Sequence, residues 1–381
     1  MVYGYKRLRS FFLFCKIRLN MRLNKLLKVT VILISVFGLI MIYSASHIWS
    51  EYKFGNPYKY LINQSIFFCM GLLLMNILSK LDYKIYYKHS NKILIICFIL
   101  LVLVLIPGIG SVRNGSRSWF SLFGFGFQPS EVSKVGLIIF TSKYLAKNEK
   151  IMDKFSEGVL PIILVILLFF GVIMLEPDFG SGMVITLTLF VMIFVSKTKM
   201  SFFIKVGLVG IVGIIFLILI APYRIDRIVS FLNPWSDPLG SGFQIIQSLY
   251  AIGPGGLLGM GFKKSIQKYF YLPEPQTDFI FSIISEELGF LGVLIVVSAF
   301  FIIFLTCMFI FLKTNDLFGK YLVFGLSFGI ILQSILNLSV VVGLIPVTGV
   351  TLPFLSYGGS SLLVSMASIG IILNVSRSSN T

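Results

Sequence analysis

Asp278 ends a long polar stretch that is rich in basic residues and directly precedes an apolar run. A carboxylate beneath basic side chains at a membrane edge could accept a proton beside an anionic substrate. The alternative is structural, because an Asp at a helix N-terminus interacts favourably with the helix dipole, with Thr277 as the cap. If the helix includes Asp278, then Ser282 and Ser285/Glu286 share one face with it. The basic residues of the stretch are Arg224, Arg227, Lys263, Lys264 and Lys268.

A second polar cluster precedes and enters another apolar run. The residues Pro129 and Ser130 predict a helix start, with Ser130 as a capping residue. Glu131 and Lys134 then lie three residues apart on one helix face. An acid–base pair inside a membrane is costly, so this pair is either functional or holds the helix to its neighbours. Ahead of it lie Arg113, Arg117 and Trp119, of which the tryptophan also suits an interfacial anchor.

Two further segments carry polar groups between apolar runs. Glu176 and Asp178 flank Pro177 and could bind a cation, or could simply belong to a tight turn. Residues 346–361 contain no charge, and their Pro and Gly residues oppose a regular helix, so we expect them to re-enter the membrane edge and line a groove. Their hydroxyls, on Ser356, Tyr357, Ser360 and Ser361, either contact a polar ligand or satisfy that backbone.

The amino-acid composition indicates which kind of secondary structure positions these polar residues. Of 381 residues, 57% are hydrophobic and 12% charged, whereas soluble domains have about 25% charged residues. The four cysteines and two histidines show no metal-ligand or disulfide spacing. We therefore predict an all-α, polytopic integral membrane protein with about ten transmembrane helices. The apolar runs are 29–46, 61–79, 93–109, 131–146, 158–175, 181–196, 202–221, 279–312, 321–343 and 359–375.

The net charge of +17 indicates orientation in the membrane and not nucleic-acid binding, because cytoplasmic loops collect Lys and Arg. The distribution of basic residues predicts a protein of the cytoplasmic membrane whose two termini both lie in the cytoplasm. The predicted organisation is a basic N-terminal segment (1–28), one membrane domain (29–376) and a short tail (377–381). The long loop 223–276, between the seventh and eighth spans, is then extracytoplasmic, and the candidate chemistry lies on that outer side.

Four segments in this order resemble the SEDS family (shape, elongation, division and sporulation): NGSRSW…QPSE, FLNPWSDPLGSGFQ, YLPEPQTDFIFSIISEELG and TLPFLSYGGSS. The sequence around the third is most similar to the FtsW branch, including its sporulation relative. The resemblance implies a peptidoglycan glycosyltransferase that uses lipid II at the outer membrane face. It makes Asp278 the essential acid and matches Trp119, Glu131 and Lys134 to family positions. Glu176 departs from the usual Gln.

The expected chemistry agrees with a single catalytic carboxylate. Glycosidases normally need a second carboxylic acid to protonate an alkoxide, whereas a polyprenyl diphosphate leaves as a stabilised anion. Asp278 is then the general base, or a ligand of a divalent cation, Mg or Mn, and no organic cofactor is expected. The candidate substrate-binding residues are Arg113, Arg117, Trp119, Arg224, Arg227, Lys263, Lys264, Lys268, Ser356 and Ser360.

The resemblance also implies protein and substrate partners, and several alternative functions remain open. The family mechanism joins lipid II to a nascent glycan strand by an inverting β-1,4 transfer, and cross-linking needs a class B penicillin-binding protein as transpeptidase. The divisome or the spore-wall machinery would be the wider setting. A lipid II flippase or transporter, an elongation-type RodA-like polymerase and a non-catalytic scaffold are the competing hypotheses. Transporters place their sites at the midplane of repeated halves, whereas these polar groups lie towards the outer edge and no internal repeat is evident.

Overall fold

The structure is a computed structural model that describes residues 2–113, 115–122, 125–220, 225, 229, 231–240 and 242–378. Side chains are described for the same residues except 2–20, 113, 122, 125, 206, 209, 214 and 216–220. Two of the predicted substrate-binding residues, Arg224 and Arg227, and the side chain of Arg113 lie outside this description.

The described part of the chain contains eleven α-helices of ten or more residues, three short strands and four short 3₁₀ or π segments. The helices are α1 (Val2–Phe54), α2 (Lys59–Leu78), α3 (Lys84–Leu105), α4 (Pro129–Lys147), α5 (Leu160–Leu175), α6 (Phe179–Val195), α7 (Met200–Ile220), α8 (Phe243–Ile252), α9 (Ile280–Lys313), α10 (Leu317–Val341) and α11 (Gly359–Ser378). The strands are β1 (Gly110–Arg113), β2 (Ser116–Leu122) and β3 (Phe125–Phe127).

Ten of these helices, all except α8, coincide with the ten predicted apolar runs. Seven spans in the described residues are long and apolar enough to cross a membrane: Met21–Phe54 within α1, α2, α3, Phe155–Leu175, α9, α10 and α11. Helix α6 and the first part of α7 are apolar but shorter. Helix α4 contains Glu131, Lys134, Lys143 and Lys147, which lower its hydropathy. The predicted polytopic helical membrane protein is confirmed.

The sheet was not predicted from the sequence. Strands β1, β2 and β3 form an antiparallel sheet in chain order, with Ser111 opposite Trp119 and Phe120 opposite Phe127. Helix α3 also ends at Leu105 and not at 109, because Pro107 disfavours helical conformation in the residue before it, and Ile106 is extended. Strands this short give a weak periodic signal, so the segment reads as a loop in sequence.

Helix α11 lies at the centre of the bundle. Within its most apolar window, 83% of the residues are buried, against 17% for α2, which leaves much of its surface to lipid. Helix α11 packs against α2, α10 and α1. Its Asn374 accepts a hydrogen bond from the backbone N–H of Tyr83 and donates one to the carbonyl of Ser79. Polar side chains thus hold the loop between α2 and α3 onto the central helix.

Helix α9 is broken at Gly289, which has φ +59° and ψ −151°. The loop at 256–261 supplies the missing backbone partners on both sides of the break. The N–H groups of Met260 and Gly261 donate to the carbonyls of Glu286 and Glu287. On the other side, Phe290 and Leu291 donate to the carbonyls of residues 256 and 257. The backbone at the break is therefore satisfied by protein, as the membrane environment requires.

Substitution Gly289→Ala should destabilise the fold by about 3 kcal/mol or more. A Cβ at this position would lie closer than 3.0 Å to backbone atoms of Gly255, Gly256 and Gly259, and the positive φ disfavours any L side chain. Thermal unfolding in detergent measures the effect. Gly171→Ala in α5 is the matched control, because no atom lies within 4 Å of its added methyl group. Equal melting temperatures for Gly289→Ala and wild type would contradict this account of the break.

Candidate active site

Asp278 is held against α10 and the irregular segment that follows it. Its backbone carbonyl accepts a hydrogen bond of 2.8 Å from Asn337 Nδ2, and the same nitrogen donates to the carbonyl of Val350 at 2.7 Å. The carboxylate lies beside Gly349, where a Cβ added to the glycine would be 3.8 Å from Asp278 Oδ2. The Asp278 side chain is partly exposed. One α10 side chain thus fixes the backbone of the candidate acid relative to the segment that faces it.

The predicted capping roles near both helix starts are wrong. Helix α9 begins at Ile280, and Thr277 donates its hydroxyl to the carbonyl of Glu274. Asp278 therefore precedes the helix and does not share a helical face with Ser282, whose hydroxyl lies 2.8 Å from that of Ser248 in α8. Helix α4 begins at Pro129, and Ser130 lies inside its first turn. The Thr277 hydroxyl donates to the Glu274 carbonyl, and the Ser130 hydroxyl donates to Asp178, so neither caps its own helix.

Residues 342–358 are irregular, as the sequence predicts for most of 346–361, whereas 359–361 begin α11. Residues 352–356 are buried against the protein interior. Gln64 of α2 donates to the carbonyl of Ser356 and accepts from the N–H of Gly358, each at 3.2 Å. The Ser356 hydroxyl accepts from the N–H of Leu352 at 2.8 Å. Ser356 thus satisfies backbone, which is the structural alternative for this residue. The hydroxyl of Ser360 is buried, with no hydrogen-bond partner in the part of the chain that is described.

The Glu131–Lys134 pair is connected to the same segment. Lys134 Nζ lies 2.8 Å from Glu131 and 2.6 Å from Gln333 Oε1 of α10. Gln333 Nε2 in turn donates to the carbonyl of Thr351 at 3.0 Å. Gln333 and Asn337 are four residues apart and therefore lie on one face of α10. The intramembrane pair and Asp278 are thereby anchored to neighbouring turns of one helix.

Asp178 also organises helix ends. Its carboxylate accepts from the N–H of Ser181 at 3.1 Å as the N-cap of α6, and from Gln128 Nε2 at 2.8 Å. Ser130 donates to it at 3.4 Å. These contacts join the starts of α4 and α6 and use the carboxylate as a cap. They fit the turn interpretation of this segment.

Glu176 lies in the same turn and is fully buried. Among the described residues, neither carboxyl oxygen of Glu176 has a hydrogen-bond partner, while its backbone carbonyl accepts from the Ser116 hydroxyl. Burial, with a smaller contribution from the charge of Asp178, raises the pKa of Glu176 to about 9. Glu176 is therefore neutral at pH 7 and is chemically close to the Gln that the SEDS resemblance leads us to expect there.

The predicted basic residues have different environments. Lys263 Nζ lies 3.1 Å from the Tyr43 hydroxyl and 4.5 Å from the centre of that ring. Lys264 is exposed, and Arg117 donates to the carbonyl of Leu105 at 3.4 Å. Trp119 is half-buried in β2, where its carbonyl accepts from the Ser111 hydroxyl. Lys263 and Lys264 are thus the described lysines of the loop that are not buried.

Lys268 does not belong to that accessible set, contrary to the sequence prediction. It forms an ion pair of 2.9 Å with Glu287, and both side chains have 0% exposure. Glu287 also accepts from the Ser44 hydroxyl of α1, and Glu286 accepts from Ser265 and from a loop N–H. The pair joins the loop before Asp278 to the helix after it. Lys268 therefore stabilises the loop, and its ammonium group is unavailable to a substrate in this structure.

A family profile described as cell cycle protein, FtsW/RodA/SpoVE, matches residues 24–381. The chain belongs to this family. These proteins are the SEDS family, so the family predicted from the four motifs is confirmed.

Relatives of this SEDS protein match over most of their length. Stage V sporulation protein E of Bacillus subtilis (strain 168) is 49% identical over 352 residues, which cover 92% of this chain and 96% of that protein. A protein of Geobacter sp. (strain M18), named probable peptidoglycan glycosyltransferase FtsW, is 39% identical over 345 residues, covering 91% of this chain and 94% of that one.

Solved structures share the fold of this SEDS protein. A chain from a study of how a peptidoglycan synthase complex coordinates polymerization and crosslinking has a TM-score of 0.75 and 31% identity, and the match covers 93% of this chain and 97% of that chain. The Thermus thermophilus rod shape determining protein RodA has a TM-score of 0.67 and 28% identity over 92% of this chain and 95% of that chain.

Sequence reasoning did not identify Gln333, Asn337 or Gln64, although these side chains hold the site of this SEDS protein together. A detectable signal existed for the α10 pair, because two polar residues four apart in an apolar span share one face and need partners inside the protein. The Lys268–Glu287 ion pair could not be predicted from the sequence. The loop that carries Lys268 contacts the helix that carries Glu287 only because that helix is broken at Gly289.

Glu176→Gln should raise the melting temperature at pH 8 and have little effect near pH 5. The raised pKa means that the wild-type turn is most stable below the unfolded-state pKa of about 4.5 and loses stability as pH rises towards 9. Gln does not titrate, so the variant avoids that loss, expected to be at least about 1 kcal/mol at pH 8. Glu157→Gln, at an exposed carboxylate, is the control. A stability difference independent of pH would contradict the assignment.

Lys268→Met should destabilise the protein by about 3–5 kcal/mol, because it leaves the Glu287 charge buried without its partner. The double variant Lys268→Met/Glu287→Gln should be less destabilised than the sum of the two single variants. Thermal unfolding of all three, with exposed Lys264→Met as the control, measures the coupling. Additive effects would show that the two side chains do not stabilise each other.

Proposed function

We propose that this chain is a peptidoglycan glycosyltransferase that polymerises lipid II into β-1,4-linked glycan strands. Relatives that match nearly end to end carry the name probable peptidoglycan glycosyltransferase FtsW. Within this molecule, the proposal rests on the contacts that hold Asp278 in place. Its backbone is held by Asn337 and its carboxylate remains partly exposed beside Gly349. A general base needs such a fixed position and access to its substrate.

In the proposed reaction, Asp278 accepts the proton of the 4-hydroxyl of the GlcNAc of lipid II. The hydroxyl oxygen attacks the anomeric carbon of the lipid-linked glycan strand, and the bond to the diphosphate breaks with inversion. The polyprenyl diphosphate departs with its negative charge, so it requires cations and no second acid. Lys263, Lys264 and Arg117, together with Arg113, Arg224 and Arg227, are the proposed source of that positive charge.

As the alternative role for Asp278, we propose that its carboxylate would hold a divalent cation, Mg or Mn, together with oxygens of the diphosphate. In the ranges described above, no three His, Cys, Asp or Glu side chains are grouped as a metal site. A single carboxylate with substrate phosphate oxygens and water is, however, the set that Mg²⁺ commonly uses. When bound, the ion would neutralise charge on the leaving group.

The membrane orientation that we propose follows from the distribution of Lys and Arg. Both termini would be cytoplasmic, and Asp278 and the sheet would face the outer side of the cytoplasmic membrane. Lipid II would enter with its lipid chain in the bilayer. We also propose a class B penicillin-binding protein as transpeptidase partner, since a similar solved chain comes from a complex that polymerises and crosslinks. The sporulation and FtsW relatives favour a role in septal or spore-wall synthesis.

Asp278→Asn should reduce glycan synthesis at least about 100-fold, because the amide cannot accept the hydroxyl proton. The assay is polymerisation of lipid II by the purified protein in liposomes with Mg²⁺ and its cognate transpeptidase, with moenomycin present to silence classical glycosyltransferases. Asp237→Asn, at an exposed carboxylate of the same loop, is the matched control and should retain activity.

Full activity in a folded Asp278→Asn variant would remove Asp278 from the mechanism. If neither protein forms strands but both move lipid II across vesicles, the chain is a flippase and the transferase proposal is wrong. Strands from wild type and from Asp237→Asn, without strands from Asp278→Asn, support the proposal.

A further inference from the structure

The first turns of α3 and the last turns of α4 carry a group of five lysines, here called the lysine cluster. Lys84, Lys88 and Lys92 follow one another at intervals of four residues, so they lie along one face of α3. Lys143 and Lys147 are likewise four residues apart in α4, which packs against α3. All five side chains are exposed except that of Lys143, which is half-buried.

Lys143 connects the two helices of the cluster. Its Nζ lies 3.5 Å from Asn91 Oδ1 and 5.2 Å from the centre of the Tyr87 ring, and both partners belong to α3. Asn91 follows Lys88 by three residues and Lys84 by seven, so it shares their face of the helix. The positive charge therefore continues from α3 onto α4 at one end of the bundle.

The lysine cluster has no acidic side chains that neutralise it. In the ranges that the structure describes, none of its five lysines forms an ion pair. Lys154, in the loop that follows α4, pairs instead with Glu157 at 3.1 Å. Asp82 directs its carboxylate to the backbone N–H of Lys84 at 3.0 Å. Like charges on neighbouring helical turns repel one another, so the cluster favours an anionic ligand.

The face of α3 that carries the lysines becomes apolar one turn further along. Ile95, Ile99 and Val102 continue the same line at three- and four-residue intervals, and they are 58%, 49% and 40% exposed. Helix α3 is long and apolar enough to cross a membrane, so these aliphatic side chains are available to acyl chains. At 1.5 Å per residue, Ile99 lies about 10 Å beyond Lys92. One helix face thus offers cations and then aliphatic groups in the order in which a phospholipid presents its phosphate and its chains.

We propose that the lysine cluster binds the headgroup of an anionic phospholipid, such as phosphatidylglycerol, whose acyl chain lies along Ile95 and Ile99. The lipid belongs to the leaflet on the proposed cytoplasmic side of the membrane. Its negative charge relieves the repulsion among the lysines, and basic residues near an anionic headgroup each add to the attraction. This site is separate from Asp278 and is independent of the proposed transferase function.

Lipid selectivity tests the proposal. The purified protein in detergent is titrated with dioleoyl phosphatidylglycerol or with dioleoyl phosphatidylcholine, and native mass spectrometry measures the lipid that stays bound. Wild type should bind phosphatidylglycerol at least about tenfold more tightly than phosphatidylcholine, because only the former has a net charge. The triple variant Lys84→Gln/Lys88→Gln/Lys92→Gln should lose most of this preference. High salt should weaken the preference of wild type, because salt screens exposed charges.

Two further variants separate the local effect from those of net charge and folding. Lys84→Arg/Lys88→Arg/Lys92→Arg keeps the positive charge and should retain the preference within about twofold. The matched control removes three exposed positive charges from α1 and from the start of α7, and it should also retain the preference: Lys25→Gln/Lys199→Gln/Lys205→Gln. Melting temperatures in detergent show that each variant is folded.

The competing ligands give different outcomes. Equal binding of the two lipids by wild type, or an equal loss of preference in the matched control, would overturn the proposal. Displacement of phosphatidylglycerol by the same concentration of glycerol 1-phosphate would assign the cluster to a soluble phosphate compound. Displacement by the same concentration of polyglutamate would assign it to an acidic protein segment, and either result overturns the lipid site. A loss of preference in the glutamine variant of α3 alone, with neither competitor effective, supports it.

Discussion

A backbone carbonyl or N–H at membrane depth has no water to bind, so each one must find its partner within the protein. This constraint explains the two irregular places near Asp278. At the break in α9, the loop at 256–261 pairs with both broken ends. In the segment 342–358, side chains from α2 and α10 pair with backbone that no helix satisfies. Irregular backbone beside Asp278 is therefore possible only where other elements of the fold supply its hydrogen bonds.

Buried charged side chains also need partners within the protein, and leaving one unpaired costs more free energy than leaving a backbone group unpaired. Two ion pairs are buried in the described part of the chain. Lys268–Glu287 joins the loop to α9, and Glu131–Lys134, within α4, is connected to α10 through Gln333. Apolar packing inside a bilayer gives little preference for one helix register over a neighbouring one, because lipid is also apolar. A buried charge has few acceptable positions, so each pair restricts the arrangement of its neighbours. The Glu131–Lys134 pair restricts α4 against α10, and Lys268–Glu287 restricts the loop against α9 and α1.

The sequence analysis correctly predicted the features that depend on local residue patterns. The ten apolar runs became the ten long helices, and the i, i+3 spacing brought Glu131 and Lys134 together. It failed where distant segments decide the outcome. Lys268 reads as a surface cation until Glu287 is placed beside it, and Ser356 reads as a ligand group until Leu352 turns back onto its hydroxyl. The short strands between α3 and α4 were missed because three to seven residues carry too little periodicity. Asn337 was missed although its polarity within an apolar span was visible.

The central position of α11 has a consequence for the integrity of the bundle. Helix α11 is separated in sequence from α1 and α2 by the other described helices, yet it packs against both of them. Its Asn374 holds the turn between α2 and α3, and the segment leading into it shares the Asn337 amide with Asp278 through the carbonyl of Val350. The packing of α1 and α2 is therefore complete only once α11 has been inserted between them and the rest of the bundle. A bundle without α11 would have an unfilled centre, and the turn between α2 and α3 would lose its hydrogen bonds to Asn374.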